Sequence, residues 1–196
     1  MTRIPMFRLT LTLVVALLGA LAGPVLAQKL VPAQSEIGFA IKQMGVPVEG
    51  KFKKFDAQIT LDPRKPQGGR VAFSIDTASA GFGSPETDAE VPKAAWLNAA
   101  KFPQASFQSS AVKGLGAGRF EVIGTLNIKG QTRDVVVPVQ LTPASGGPSA
   151  LSTATGSFIL KRLQFKIGDG EWADTSMVAD EVQVKFRLTL AGMAPL

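Results

Sequence analysis

The chain has 196 residues, 45% of them hydrophobic, and its 21 Lys and Arg against 15 Asp and Glu give a formal charge of +6. It has no Cys, no His and no Tyr, which excludes disulfides, thiolate nucleophiles, Ser-His or Cys-His pairs and imidazole metal sites. Catalysis would have to run on carboxylates, Lys or Ser alone.

Arg3 and Arg8 precede the apolar run Leu9 to Leu18, and Val25-Leu26-Ala27 puts small residues where a signal peptidase cuts. Residues 1–27 are therefore expected to be a cleaved export signal, with the mature chain beginning at Gln28. The alternative, an uncleaved anchor, fits less well with a run rich in Ala and Gly that ends in Pro24. No Cys follows the cut, which excludes a lipidated N-terminus. About 169 residues remain, with 19 basic against 15 acidic side chains and so a charge of +4. That is the length of one domain, residues 28–196, long enough to bury a core without staples.

Ser35 to Lys42 alternates Ile37, Phe39 and Ile41 with polar or small residues and predicts a first strand. Gly45-Val46-Pro47 is expected to turn it. From Val48 to Leu61 a second strand follows whose phase slips: Val48, Gly50 and Phe52 share one parity, whereas Phe55, Ala57, Ile59 and Leu61 share the other. A β-bulge at Lys53-Lys54 would restore a common inward face, and the bend it brings suits a barrel. Val71, Phe73 and Ile75 mark a third strand. Lys51, Lys53, Lys54, Arg64, Lys65 and Arg70 read as a solvated edge, with docking to anionic phospholipid as the alternative. Without interleaved aromatics they do not suggest nucleic acid.

Between Asp76 and Pro103 the pattern changes. Ser84-Pro85-Glu86-Thr87-Asp88 has the form of an N-cap, Pro at N1 and an acidic first turn, and Val91, Ala94, Ala95 and Leu97 continue a helical spacing. This predicts a short helical insertion between the third and fourth strands, lying over an open end of the sheet. Trp96 and Phe102 read as packing residues of that cover, with ligand contact as the alternative, since a cover is where a ligand would enter. A fourth strand at Gln104 to Val112 is anchored by Phe107.

The fifth and sixth strands declare themselves most clearly. Phe120, Val122, Leu126 and Ile128 alternate with polar residues, as do Val135, Val137, Val139 and Leu141. Gly130-Gln131 has the chemistry of a type II′ turn, which would pair Lys129 with Thr132, Leu126 with Val135, Val122 with Val139 and Phe120 with Leu141. Pro143 to Ser149 is expected to be a flexible loop. Leu151 to Lys161 forms a seventh strand, and Val182, Val184, Phe186, Leu188 and Leu190 an eighth. About eight antiparallel strands with one helical insertion make an all-β barrel or sandwich.

These residues resemble the YceI-like family of exported lipid- and polyisoprenoid-binding proteins. The resemblance is carried by Ser35 to Phe39, by Val48-Glu49-Gly50-Lys51-Phe52 with Phe55, and by Asp76 with Ser79. It continues in Lys101-Phe102-Pro103 with Phe107, in Gly124-Thr125-Leu126-Asn127-Ile128-Lys129-Gly130-Gln131-Thr132, and in Arg162 with Phe165-Lys166-Ile167-Gly168. The family's helical segment often has a histidine after its aspartate, whereas here Ala89-Glu90-Val91 follows Asp88. The resemblance implies an eight-stranded antiparallel lipocalin-like barrel in the periplasm, holding the isoprenoid tail of a quinone or another polyisoprenoid as ligand rather than a resident cofactor. Transient contact with a membrane surface, through the basic residues named above, and a homodimer are further expected partners.

Phe39, Phe52, Phe73, Phe107, Phe120, Phe158, Phe165 and Phe186 are the expected interior, with Trp96 and Trp172 at the mouth. Residue by residue they could simply fill a core; together they either fill it, as in a ligand-free stress or interaction protein, or line a channel, and the resemblance favours the channel. The acidic turn Asp169-Gly170-Glu171-Trp172-Ala173-Asp174 invites a carboxylate hydrolase or a Ca²⁺ site, but its spacing matches no EF-hand loop and is ordinary turn chemistry. The protein is thus not expected to be an enzyme or a metalloprotein.

Overall fold

A computed structural model describes residues 27–143 and 151–196. The expected export signal and most of the Pro143 to Ser149 loop lie outside the described residues. The strands are β1 (Lys29–Leu30), β2 (Glu36–Gln43), β3 (Val46–Phe52), β4 (Phe55–Thr60), β5 (Arg70–Asp76) and β6 (Ala80–Gly81), then β7 (Gln104–Gly116), β8 (Arg119–Ile128), β9 (Gln131–Thr142), β10 (Leu151–Lys161) and β11 (Val178–Ala191). One helix, α1 (Pro85–Glu90), stands between β6 and β7.

All eleven strands belong to one antiparallel sheet in the order β4-β5-β7-β8-β9-β10-β11-β2-β3-β6, with β1 beside β11. The sheet is strongly curled because β4, at one end of this order, and β3, next to β6 at the other, are consecutive in the chain. That one segment hydrogen-bonds to β2 before Lys53-Lys54 and to β5 after it. The amides freed at the bend are not lost. Lys53 N–H donates to the carbonyl of Ser79 at 3.1 Å and Lys54 N–H to its hydroxyl at 3.0 Å. The expected bulge is thus a full break. The strand count is eleven rather than eight because the second expected strand divides here and the two-residue β1 and β6 have no periodicity to announce them. For the same reason α1 follows the sixth strand, not the third.

On the side of β4 away from β5, the start of the described chain fills in. Gln28 bridges to Ile59 while Lys29 and Leu30 pair with Ala191 and Leu190. The Gln28 amide accepts from Leu61 N–H at 2.8 Å and donates to Gly192 O at 3.4 Å.

The hairpin turns correct two expectations. Lys129 and Gly130 both have positive φ, +50° and +73°, the mark of a type I′ turn, whose twist matches that of the strands it joins. Gly130 is thus the second turn residue rather than the first. The ladder pairs Ile128 with Gln131, Leu126 with Arg133, Gly124 with Val135, Val122 with Val137 and Phe120 with Val139. This register is two residues from the expected one. An even slip leaves every side chain on its expected face, so Val137 and Leu141 are buried while Asp134, Val136, Pro138 and Gln140 are exposed. Met44-Gly45 turns β2 into β3 in the same way, with Val46 and Pro47 already paired in the strand.

Candidate functional site

The inward rows of the sheet enclose a cavity in two lobes of about 140 and 160 Å³. Ile37, Phe73, Ile75, Phe107, Leu126, Phe158 and Val184 border both lobes, which therefore adjoin at a waist. Below it the deep lobe is walled by residues such as Leu61, Phe120, Leu141, Leu190 and Met193. Above it the upper lobe is roofed by Phe82, Val91, Trp96, Leu97 and Ile167 from the segments that follow β6 and β10. The surface of both lobes is wholly apolar. Phe39, Phe52, Phe73, Phe107, Phe158 and Phe186 point inward and are half-buried, packed against the core on one side and bordering this cavity on the other.

Glycines opposite these rings bring the strands close. Phe186 lies across from Gly156, where a Cβ would stand 2.3 Å from both the Phe186 ring and the Pro138 carbonyl. Phe39 lies across from Gly50 and packs on Phe52 and edge-on to Phe82, each with ring centroids 5.1 Å apart.

The roof is fastened by buried cations. Arg162 is fully buried and spends all five N–H groups on backbone carbonyls: Nε on Ala179 (3.0 Å), Nη1 on Ile167 (2.9 Å) and Gly168 (2.6 Å), Nη2 on Trp172 (2.6 Å) and Val178 (2.7 Å). Desolvation lowers its pKa and Asp180 partly offsets this. Lys129, 8% exposed, reaches from the β8–β9 turn to Ala95 O (3.2 Å) and Lys166 O (2.5 Å), with Asp169 at 3.8 Å. Burial pushes its ammonium below the ordinary 10.5, and Asp169 pulls it back. One ammonium thus joins the two halves of the roof, which also meet where Gly168 N–H donates to Ala95 O at 2.8 Å and where the tilted Trp96 and Trp172 rings lie 5.5 Å apart. At the far edge Asp88 accepts from Phe82 N–H at 2.5 Å and pairs with Lys53 at 3.5 Å.

Of the ten residues expected at the site, Phe39, Phe52, Phe73, Trp96, Phe107, Phe120, Phe158 and Phe186 border the cavity. Phe165 does not; it is 1% exposed and packed behind the lining with Leu160 and Ile128. Trp172 does not either, lying outside on Trp96. The sequence reading missed Phe82 and Ile167, which sit in turns where no period marks an inward face, and Thr77, which follows the third expected strand. The acidic turn does not converge. Asp174 accepts from Ser176 N–H (2.9 Å) and its hydroxyl (2.7 Å), bonds that hold its pKa below the usual carboxylate value, while Asp169 faces Lys129 and Glu171 is exposed. Among the described residues no three His, Cys, Asp or Glu could hold a metal ion.

A curled antiparallel sheet wrapped round an apolar two-lobed cavity, with a pinned roof at one end, defines a lipocalin-like binding fold. The YceI-like domain model matches residues 28–190, and the chain belongs to that family. It is 29% identical over 157 residues to a UPF0312 protein of Vibrio cholerae, covering 77% of this chain and 83% of that one. A UPF0312 protein of Yersinia pestis is 37% identical over 130 residues, or 64% and 67% of the two chains. Among solved structures, Burkholderia cenocepacia BcnA superposes with a TM-score of 0.76 at 43% identity, covering 82% of this chain and 99% of BcnA. A polyisoprenoid-binding domain from Saccharophagus degradans shares the fold, with a TM-score of 0.65 at 15% identity over 84% of this chain and 98% of that domain.

Proposed function

We propose that the protein is a periplasmic, non-catalytic binding protein that holds a polyisoprenoid, such as the tail of an isoprenoid quinone, along the two lobes. The single observation that carries this reading is the wholly apolar cavity running from the roof through the Phe73–Phe107–Phe158 waist to Met193. Such a cavity stays dry and favours hydrocarbon. Burying about ten methylenes at roughly 0.8 kcal/mol each contributes some 8 kcal/mol, enough for micromolar affinity before ordering costs. In this reading β3 and β4 act as one bent strand, β1 and β6 stand outside the wall, and the sheet closes as an eight-stranded lipocalin-like barrel. In this reading residues 1–27 direct export and are removed, and the ligand is exchanged during transient contact with a membrane.

The test is mass spectrometry of an organic extract of the mature protein purified from the periplasm. A stoichiometric isoprenoid lipid is expected. If nothing is extracted and added isoprenoids leave the melting temperature unchanged, the reading fails.

A further inference from the structure

Resting on that reading, we infer that the site recognises the hydrocarbon chain alone and is blind to the head group, which stays outside the roof. The ligand class is therefore any isoprenoid chain of suitable length, an unfunctionalised hydrocarbon included.

Orienting a head group inside a pocket takes a donor or acceptor aimed into it. The deep lobe is lined by no polar residue at all. The upper lobe has three polar residues on its border, Thr77, Ser106 and Arg162, and each is already committed or turned away. Thr77, 1% exposed, donates its hydroxyl to Phe102 O at 2.7 Å. Ser106 is exposed, on the opposite parity of β7 from Ala105 and Phe107. The five N–H groups of Arg162 are all spent on carbonyls within 3.0 Å, and a guanidinium has no sixth. The indole of Trp96 meets the lobe through carbon, since no polar surface opens into it. Nor does the described cavity hold a buried polar side-chain atom waiting for a partner.

A quinone carbonyl, an alcohol or a phosphate drawn inside would lose its water and gain nothing in return, so each settles with its head in solvent outside the apolar lobes. A site that makes no hydrogen bond to a group has little means of telling ligands that have it from ligands that do not.

The experiment is competition. Mature protein stripped of lipid is offered an equimolar mixture of squalene, a polyprenol, a prenylated benzoquinone and a polyprenyl phosphate of matched chain length, delivered in cyclodextrin, and the bound species are counted by native mass spectrometry. All four should load within about threefold of one another, because no head-group hydrogen bond separates them. Repeating the mixture with shorter chains should lower all four together. Preference for any one head by more than about tenfold, the effect of one good hydrogen bond, would overturn head-group blindness while leaving isoprenoid binding intact. Failure of all four to load, with no lipid in the extract, would remove the binding reading itself.

Discussion

Arg162 shows how much of the roof depends on a single side chain. Its guanidinium binds carbonyls on both sides of the loop that follows β10 and on the first residues of β11. Lysine in its place has three donors for five acceptors, so at least two buried carbonyls lose a partner at about 1–3 kcal/mol each. Arg162→Lys should therefore lower the melting temperature by roughly 5–15 °C, with near-native secondary structure by circular dichroism. A loss under 2 °C would mean that water replaces the guanidinium at little cost. In the sequence Arg162 is marked only by the family resemblance, and neither composition nor spacing singles it out. That a cation would be fully buried with no carboxylate in contact cannot be read from a sequence, since the acceptors are backbone carbonyls that every residue has. The inward phenylalanines were legible for the opposite reason: alternation along a strand fixes the face of a side chain whatever its partner.

Among the elements, face was legible and register was not. Apolar rows on β8 and β9 agree with any even offset, so only the turn selects among them, and its Gly-Gln sequence points to Gly130 as the first turn residue although Lys129 holds that place. What favours a lysine at positive φ is distant in sequence: its ammonium binds Ala95 O and Lys166 O. The two-residue strands β1 and β6 were illegible because a pair of residues has no period. Strand packing also decides how the cavity should be narrowed. Gly156→Leu would drive a side chain into the Pro138 carbonyl, 2.3 Å from where its Cβ must stand, and break the sheet. Ala154→Leu in the deep lobe and Ala105→Leu in the upper lobe instead add volume where the wall faces the cavity. Each should cost under about 1–3 kcal/mol, the range for overpacking, and shorten the longest isoprenoid recovered. If both variants retain the wild-type chain length in native mass spectrometry, the ligand does not thread the waist.

For the whole molecule, the all-β class, the single inward face and the aromatic lining were visible in the sequence. How the curl is held was not, because it depends on one segment serving both β2 and β5 and on the two ends of the described chain meeting. The last strand, β11, is bonded to β10, to β2 and to β1, and Gln28 reaches Gly192 across 164 positions. This arrangement sets the order of events in time. A chain that emerges N-terminus first presents β1 and β2 with no partner for one of their edges until the final strand follows, and such distant pairing is slow to close. Synthesis arrested with β11 still inside the ribosomal tunnel should leave the nascent chain open to protease and unable to take up lipid, and an inert C-terminal extension that lets β11 emerge should restore both properties. Protection before β11 appears would show that the earlier strands fold without it. A wall completed by β11 can take on cargo only once that strand has emerged, so on the proposed function the protein would meet its lipid unladen.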